Sequence, residues 1–219
     1  MPVKHADVIS IEITNEEYRD FIVPNAKKSL LNGNSNVRDP FLPGAEIQRL
    51  KDQITGQVAH MAGAIALFGS PYEYHRARGI ANANQMIGEG ESDVVGSNID
   101  FKGSRMCGLT SDPLEYHLPV RPNELRDHIK YYSILVEVPE PSSDGEVAPV
   151  AYVVGYEFGS IVRKAHRAIP GFGDAHMIKN CDLQPIPQNL NNARIKRRKC
   201  HTSITMSEID SIKKRFLSY

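Results

Sequence analysis

The sequence predicts an α/β protein built around a mixed sheet, and three observations carry that expectation. A long helical pattern rich in small residues covers about 44–67, and two β-branched and aromatic runs follow at 131–138 and 150–158. Between them, residues 88–105 hold two short apolar runs split by a Gly-Ser-Asn turn, which reads as a hairpin. Helix, hairpin, two further strands and a closing helix alternate in the order that layers helices against a sheet.

Taken in order, residues 7–13 alternate apolar and polar and predict a first strand. Thr14 and Glu17 stand at capping-box spacing and open a helix through about Leu31. Residues 32–43 are rich in Asn, Gly and Pro and predict a loop. The long helix comes next, and Ser70 and Pro71 begin a stretch expected to be less regular. Several prolines mark 106–130, within which the polar piece 122–130 has helical character. The two strong strands are joined by a Pro/Ser/Gly/acid loop at 139–149, and a short helix is expected over 159–166.

Composition sets bounds on function. Lys plus Arg and Asp plus Glu number 26 each, so no global field draws the chain onto nucleic acid, and any such binding must come from local patches. Cys107, Cys181 and Cys200 are widely spaced with no Cys-x-x-Cys, which argues against a structural zinc site and for a reducing, intracellular (cytoplasmic) location. No apolar run is long enough for a membrane span, and the polar N-terminus has no signal-peptide core, so a soluble protein is expected.

The chemistry concentrates in 88–105. Residues two apart on a strand share a face, so Asp100 and Lys102 project together, and the hairpin brings Asp93 towards them. Ile99 and Phe101 take the opposite face, towards the core. Two carboxylates beside one lysine suit a hard, oxygen-seeking divalent cation with an amine ready for a water or an anionic oxygen, which is phosphodiester chemistry. An Asp-x-Lys triplet alone is unspecific. Asp is disfavoured inside strands, however, and Gly88 and Gly90 allow close backbone approach just before the first acid.

This arrangement resembles the PD-(D/E)xK nuclease superfamily, with Asp93 as the first acid, Asp100 as the second and Lys102 as the lysine. Ser92 stands where the proline of the superfamily's name would be. The helix over 53–68, with Gly56, Ala59, Ala62, Ala64 and Ala66, is similar to the small-residue helix before the motif. Relatives often carry a metal-binding glutamate there, and the matching position is His60. The resemblance covers roughly 45–190, but only 88–105 is specific. It implies a restriction-endonuclease-like mixed central sheet flanked by helices on both faces. The implied organisation is a strand-and-helix extension over 1–44, a nuclease core over 45–190, and a basic segment with a terminal helix over 191–219. It further implies Mg²⁺, for which Mn²⁺ would substitute, held by Asp93, Asp100 and the Phe101 carbonyl. His60, Glu89 and Glu91 are accessory candidates, although a lone histidine among alanines is ordinarily a satisfied core residue.

Candidate DNA contacts lie elsewhere. Arg194, Lys196, Arg197, Arg198 and Lys199 put five bases in six positions, which reads as phosphate binding, as targeting, or as a solvated charge run. Lys213, Lys214 and Arg215 extend the basic character in a helix capped by Ser207. Tyr72, Tyr74, Arg76 and Arg78 mix aromatics with bases, as single-strand binders do, or pack a helix end. Arg105 follows Lys102 by three residues. The expected function is a Mg²⁺-dependent DNA endonuclease acting on double-stranded DNA as a homodimer. A junction-resolving nuclease and a non-catalytic DNA-binding protein of the same fold are the alternatives.

Overall fold

The computed structural model describes residues 2–31, 45–83, 92–106, 110–137, 149–165 and 175–187. The central sheet is mixed, in the order β1–β5–β4–β2, from β1 (Ile9–Glu12), β2 (Ile99–Arg105), β4 (Lys130–Glu137) and β5 (Val150–Phe158). β1 and β4 run antiparallel to β5, whereas β2 runs parallel to β4 and forms an edge. A second, two-stranded sheet pairs β3 (His117–Val120) with β6 (His176–Lys179).

The capping box at Thr14 forms as its spacing predicts. Thr14 Oγ1 accepts from Glu17 N at 3.1 Å, and the Glu17 carboxylate accepts from Thr14 N at 3.0 Å. The helix it opens is interrupted: α1 (Asn15–Glu17) passes through one π turn (Tyr18–Ile22) into α2 (Val23–Leu31). The wide turn falls where Pro24 removes a main-chain donor from the normal ladder. α3 (Ala45–Phe68) matches the expected long helix, and α5 (Gly159–Val162) is a single turn.

Two expectations about helices fail. The stretch after Pro71 is α4 (Tyr72–Ala83), a regular helix. Pro71 sits ahead of its first turn, where a missing N–H costs nothing, and its carbonyl accepts from His75 N. Residues 122–129 form turns, not a helix, and Lys130 already belongs to β4. The Tyr131 hydroxyl explains this, because it donates to Glu124 O and accepts from Arg126 N, each at 2.8 Å. Those main-chain groups are then committed to a side chain.

β4 is buried on both faces and separates two cores. Tyr132, Ile134 and Val136 meet the helices, with Phe101, Val58, Ala62 and Val153. Tyr131 and Leu135 meet Leu118, Val120, Leu125, Ile129, Val162 and Leu183 on the other side. Helices therefore flank the mixed sheet: α1 to α4 lie on one side, and α5 lies on the other with the small sheet. Ile11, Ile13, Ile22 and Ala26 share the first core with α3, so the N-terminal strand and helices are part of one packed unit with the sheet.

α3 crosses β2 at very short range. A methyl on Gly103 would lie 2.8 Å from Ala59 Cβ and 3.1 Å from Thr55 O, and one on Gly63 would overlap the Phe101 ring. Small residues at these crossings let the helix settle onto the edge strand and fix its position.

Candidate active site

The alternation of β2 places Phe101 on the α3 side and Asp100 with Lys102 on the other, as its period of two requires. Lys102 Nζ lies 3.2 Å from Asp100 Oδ1, and both side chains are largely buried. Asp93 reaches the same strand by a different route from the one expected. Residues 92–98 are a turn-rich loop, not the first arm of a hairpin. Ser97 N and Oγ and Ser92 Oγ all donate to Val94 O, and Gly96 takes φ 75°, so local turn bonds use groups that a ladder would need.

The loop nevertheless delivers its carboxylate. Asp93 Oδ2 accepts from Phe101 N at 2.6 Å, and Asp93 N donates to Ile99 O at 2.9 Å. Asp93 thus caps the free edge of β2, opposite the edge paired with β4. The N–H and C=O of one residue leave a parallel strand on the same side, so the Phe101 carbonyl also faces this edge. Asp93, Asp100 and the Phe101 carbonyl are therefore the oxygen donors gathered around one residue of strand.

Burial lifts the Asp100 carboxyl to about 7 against the opposing pull of Lys102, with Asp93 and Glu124 adding repulsion. A buried acid held in this way gains by meeting a cation, so the donor set fits a hard divalent ion. Burial works against the Lys102 charge, but Asp100, Glu124 and Asp93 outweigh it and hold the ammonium well above its ordinary value. Lys102 is thus held as a charged donor between the two carboxylates. No group of three or more His, Cys, Asp or Glu side chains placed to hold a metal occurs among the described residues.

Glu124 is the residue that sequence reasoning missed. Its Oε2 accepts from Lys102 Nζ at 2.8 Å, closer than Asp100, and its Oε1 lies 3.6 Å from Arg121. Twenty-two positions separate it from Lys102, and no local pattern joins them.

His60 lies on the other side of Asp93, buried in the first core with Nδ1 3.9 Å from Asp93 Oδ1. Its ring is edge-on to Tyr74 at 5.2 Å and tilted against Phe101 at 5.7 Å. Burial drives its pKa down to about 4 despite Asp93, so His60 is a neutral, packed ring bracing the Asp93 loop. Arg78 also turns inward. It is close enough to Tyr74 and Asp93 for both to favour its charge, while burial lowers its pKa.

The other cations proposed for DNA point apart. Arg105 shares the helix side of β2 and pairs with Asp52 of α3 at 3.1 Å, away from the Lys102 face. Arg76, on the exposed face of α4, pairs with Glu73 at 3.1 Å. Tyr72 is exposed, whereas Tyr74 is fully buried and bonded to Gln57 and Asn25, which gives it the packing role. Glu89, Glu91, Arg194, Lys196, Arg197, Arg198, Lys199 and the segment expected to form a terminal helix lie outside the described residues. No helix among the described residues is long and apolar enough to cross a membrane. No protein-family model, curated protein or solved structure matches the chain.

Proposed function

We propose that the chain is a Mg²⁺-dependent deoxyribonuclease that hydrolyses phosphodiester bonds of double-stranded DNA, with Asp93, Asp100 and Lys102 as its catalytic set. The observation that supports this reading is the Asp100–Lys102 pair on one face of β2, with Asp93 bonded to the strand's free edge at Phe101. Asp93, Asp100 and the Phe101 carbonyl would hold the ion. When bound, it supplies a water of lowered pKa and positive charge against the phosphorane-like transition state. Lys102, held protonated, orients the attacking water and offsets charge on the phosphate oxygens. Asp93 keeps one oxygen on the Phe101 N–H, which fixes its carboxylate at the strand edge. Cutting both strands calls for two copies of a one-site chain, hence a homodimer. The basic run at 194–199 is assigned to the phosphate backbone.

The test is cleavage of supercoiled plasmid, linear duplex and a four-way junction with Mg²⁺ or Mn²⁺, and with EDTA as control. Cleavage is expected with the metals, abolished by Asp93→Ala and by Asp100→Ala, and slowed at least ~10²-fold by Lys102→Ala. Activity retained in both aspartate variants overturns the catalytic set. Preference for the junction moves the reading to a structure-specific nuclease. DNA binding that ignores EDTA, without cleavage, moves it to a non-catalytic binder.

A further inference from the structure

We propose that Glu124 is a positioning residue that holds the Lys102 ammonium and so keeps Asp100 available to the divalent ion. The inference rests on the nuclease reading of the site. An ammonium beside one carboxylate pairs with it and competes with any metal for the same oxygens. Here Lys102 Nζ is shared, at 2.8 Å from Glu124 Oε2 and 3.2 Å from Asp100 Oδ1, so the shorter bond goes to the residue that is not a ligand. An ammonium carries three donors, and bonding to two carboxylates still leaves one for a phosphate oxygen.

The loop carrying Glu124 is anchored to the sheet at several points. Tyr131, whose Cα is the register partner of Asp100 across β2 and β4, donates its hydroxyl proton to Glu124 O. Arg126 N returns a bond to the same hydroxyl, and Leu125 is buried in the second core. α5 receives the loop from below: Gly159 N donates to Ile129 O at 2.9 Å, and Arg163 Nε donates to Asp127 Oδ1 at 2.8 Å. A methyl on Gly159 would overlap Arg126 O, so only glycine admits the loop at this depth. The position of the Glu124 main chain is thereby tied to the strand that registers with Asp100, and its carboxylate meets Lys102 as a consequence.

The test measures Mg²⁺ binding to the full chain by calorimetry without DNA, alongside plasmid cleavage across Mg²⁺ concentrations. Glu124→Gln should weaken Mg²⁺ binding about tenfold, the coupling expected within one contact network. It should shift the Mg²⁺ needed for half-maximal cleavage by the same factor. Glu12→Gln removes an equal charge from exposed β1, at the opposite edge of the sheet from Lys102 and its loop, and should leave both unchanged. In a Lys102→Met background, or Lys102→Gln where methionine leaves the chain unfolded, Glu124→Gln should have no further effect on Mg²⁺ binding. Wild-type Mg²⁺ binding in Glu124→Gln overturns the proposal, as does an undiminished loss in the Lys102 background, which would make Glu124 a direct partner of the metal. A wild-type chain that neither binds Mg²⁺ nor cleaves DNA overturns the nuclease reading and this inference together.

Discussion

Alanine at two glycines of α3 separates helix propensity from the contact that fixes the edge strand. Gly56 is exposed, and a methyl there meets nothing within 4 Å, so Gly56→Ala gains only helix propensity, about 1 kcal/mol. A methyl on Gly63 would overlap Phe101 Cδ1 and Cε1 and come within 2.8 Å of Cζ. The ring has nowhere to swing, because Phe101 is 7% exposed between His60 and Tyr132. Overpacking of this kind costs ~1–3 kcal/mol, which the propensity gain offsets in part and leaves a net loss of up to about 2 kcal/mol. At ~2–4 °C per kcal/mol for a chain of this size, Gly56→Ala should raise Tm by about 2–4 °C, and Gly63→Ala should lower it by up to about 8 °C. Phe101 also carries the N–H that holds Asp93, so Gly63→Ala should slow plasmid cleavage well below its melting temperature. Calorimetric melting and cleavage at 25 °C check both parts. Equal stability of the two variants would refute the close seating of α3 on β2.

Asp100→Asn should abolish Mg²⁺-dependent cleavage and yet melt above wild type at neutral pH. The Asp100 carboxyl is raised from 3.8 to about 7, so the folded chain binds its proton more tightly than the unfolded chain does. Stability from this group therefore falls as pH rises through that window, and the Tm gap should widen from pH 4 to pH 7; a constant gap would remove the burial argument. His60 has the opposite sign, since its pKa falls from 6.5 to about 4 and the unfolded chain binds the extra proton. Acidification from pH 6.5 towards 4 should cost wild type up to about 1.4 kcal/mol per pH unit from this residue, and His60→Gln should lose less Tm across the same range. Identical acid profiles would mean that His60 is solvated. Neutralising Arg194, Lys196, Arg197, Arg198 and Lys199 should weaken binding to every DNA sequence and flatten its salt dependence by roughly one log–log unit per lost phosphate contact. An unchanged slope would assign the run to solvent or targeting.

What the sequence made legible depends on how far each feature reaches. The face shared by Asp100 and Lys102 follows from a period of two and needs no tertiary information, and the Thr14 cap needs only three residues. Asp93 could be named because it follows a glycine-acid lead-in at 88–91, but its path could not. Three hydrogen bonds converging on Val94 O turn 92–98 into a loop, and the carboxylate arrives at the strand edge from there. For the cations, charge was readable and direction was not. Arg78 turns towards Asp93, Arg105 towards Asp52, and Arg76 stays on the surface, because each direction depends on where α3 and α4 lie against the sheet. Glu124 was beyond reach altogether. Its place beside Lys102 requires the Tyr131 hydroxyl to break a helical pattern over 122–130 and a glycine at 159 to admit the resulting turn. A polar group whose position depends on two distant residues leaves no mark in its own neighbourhood. The acid closest to the Lys102 ammonium is therefore the one that only tertiary structure identifies.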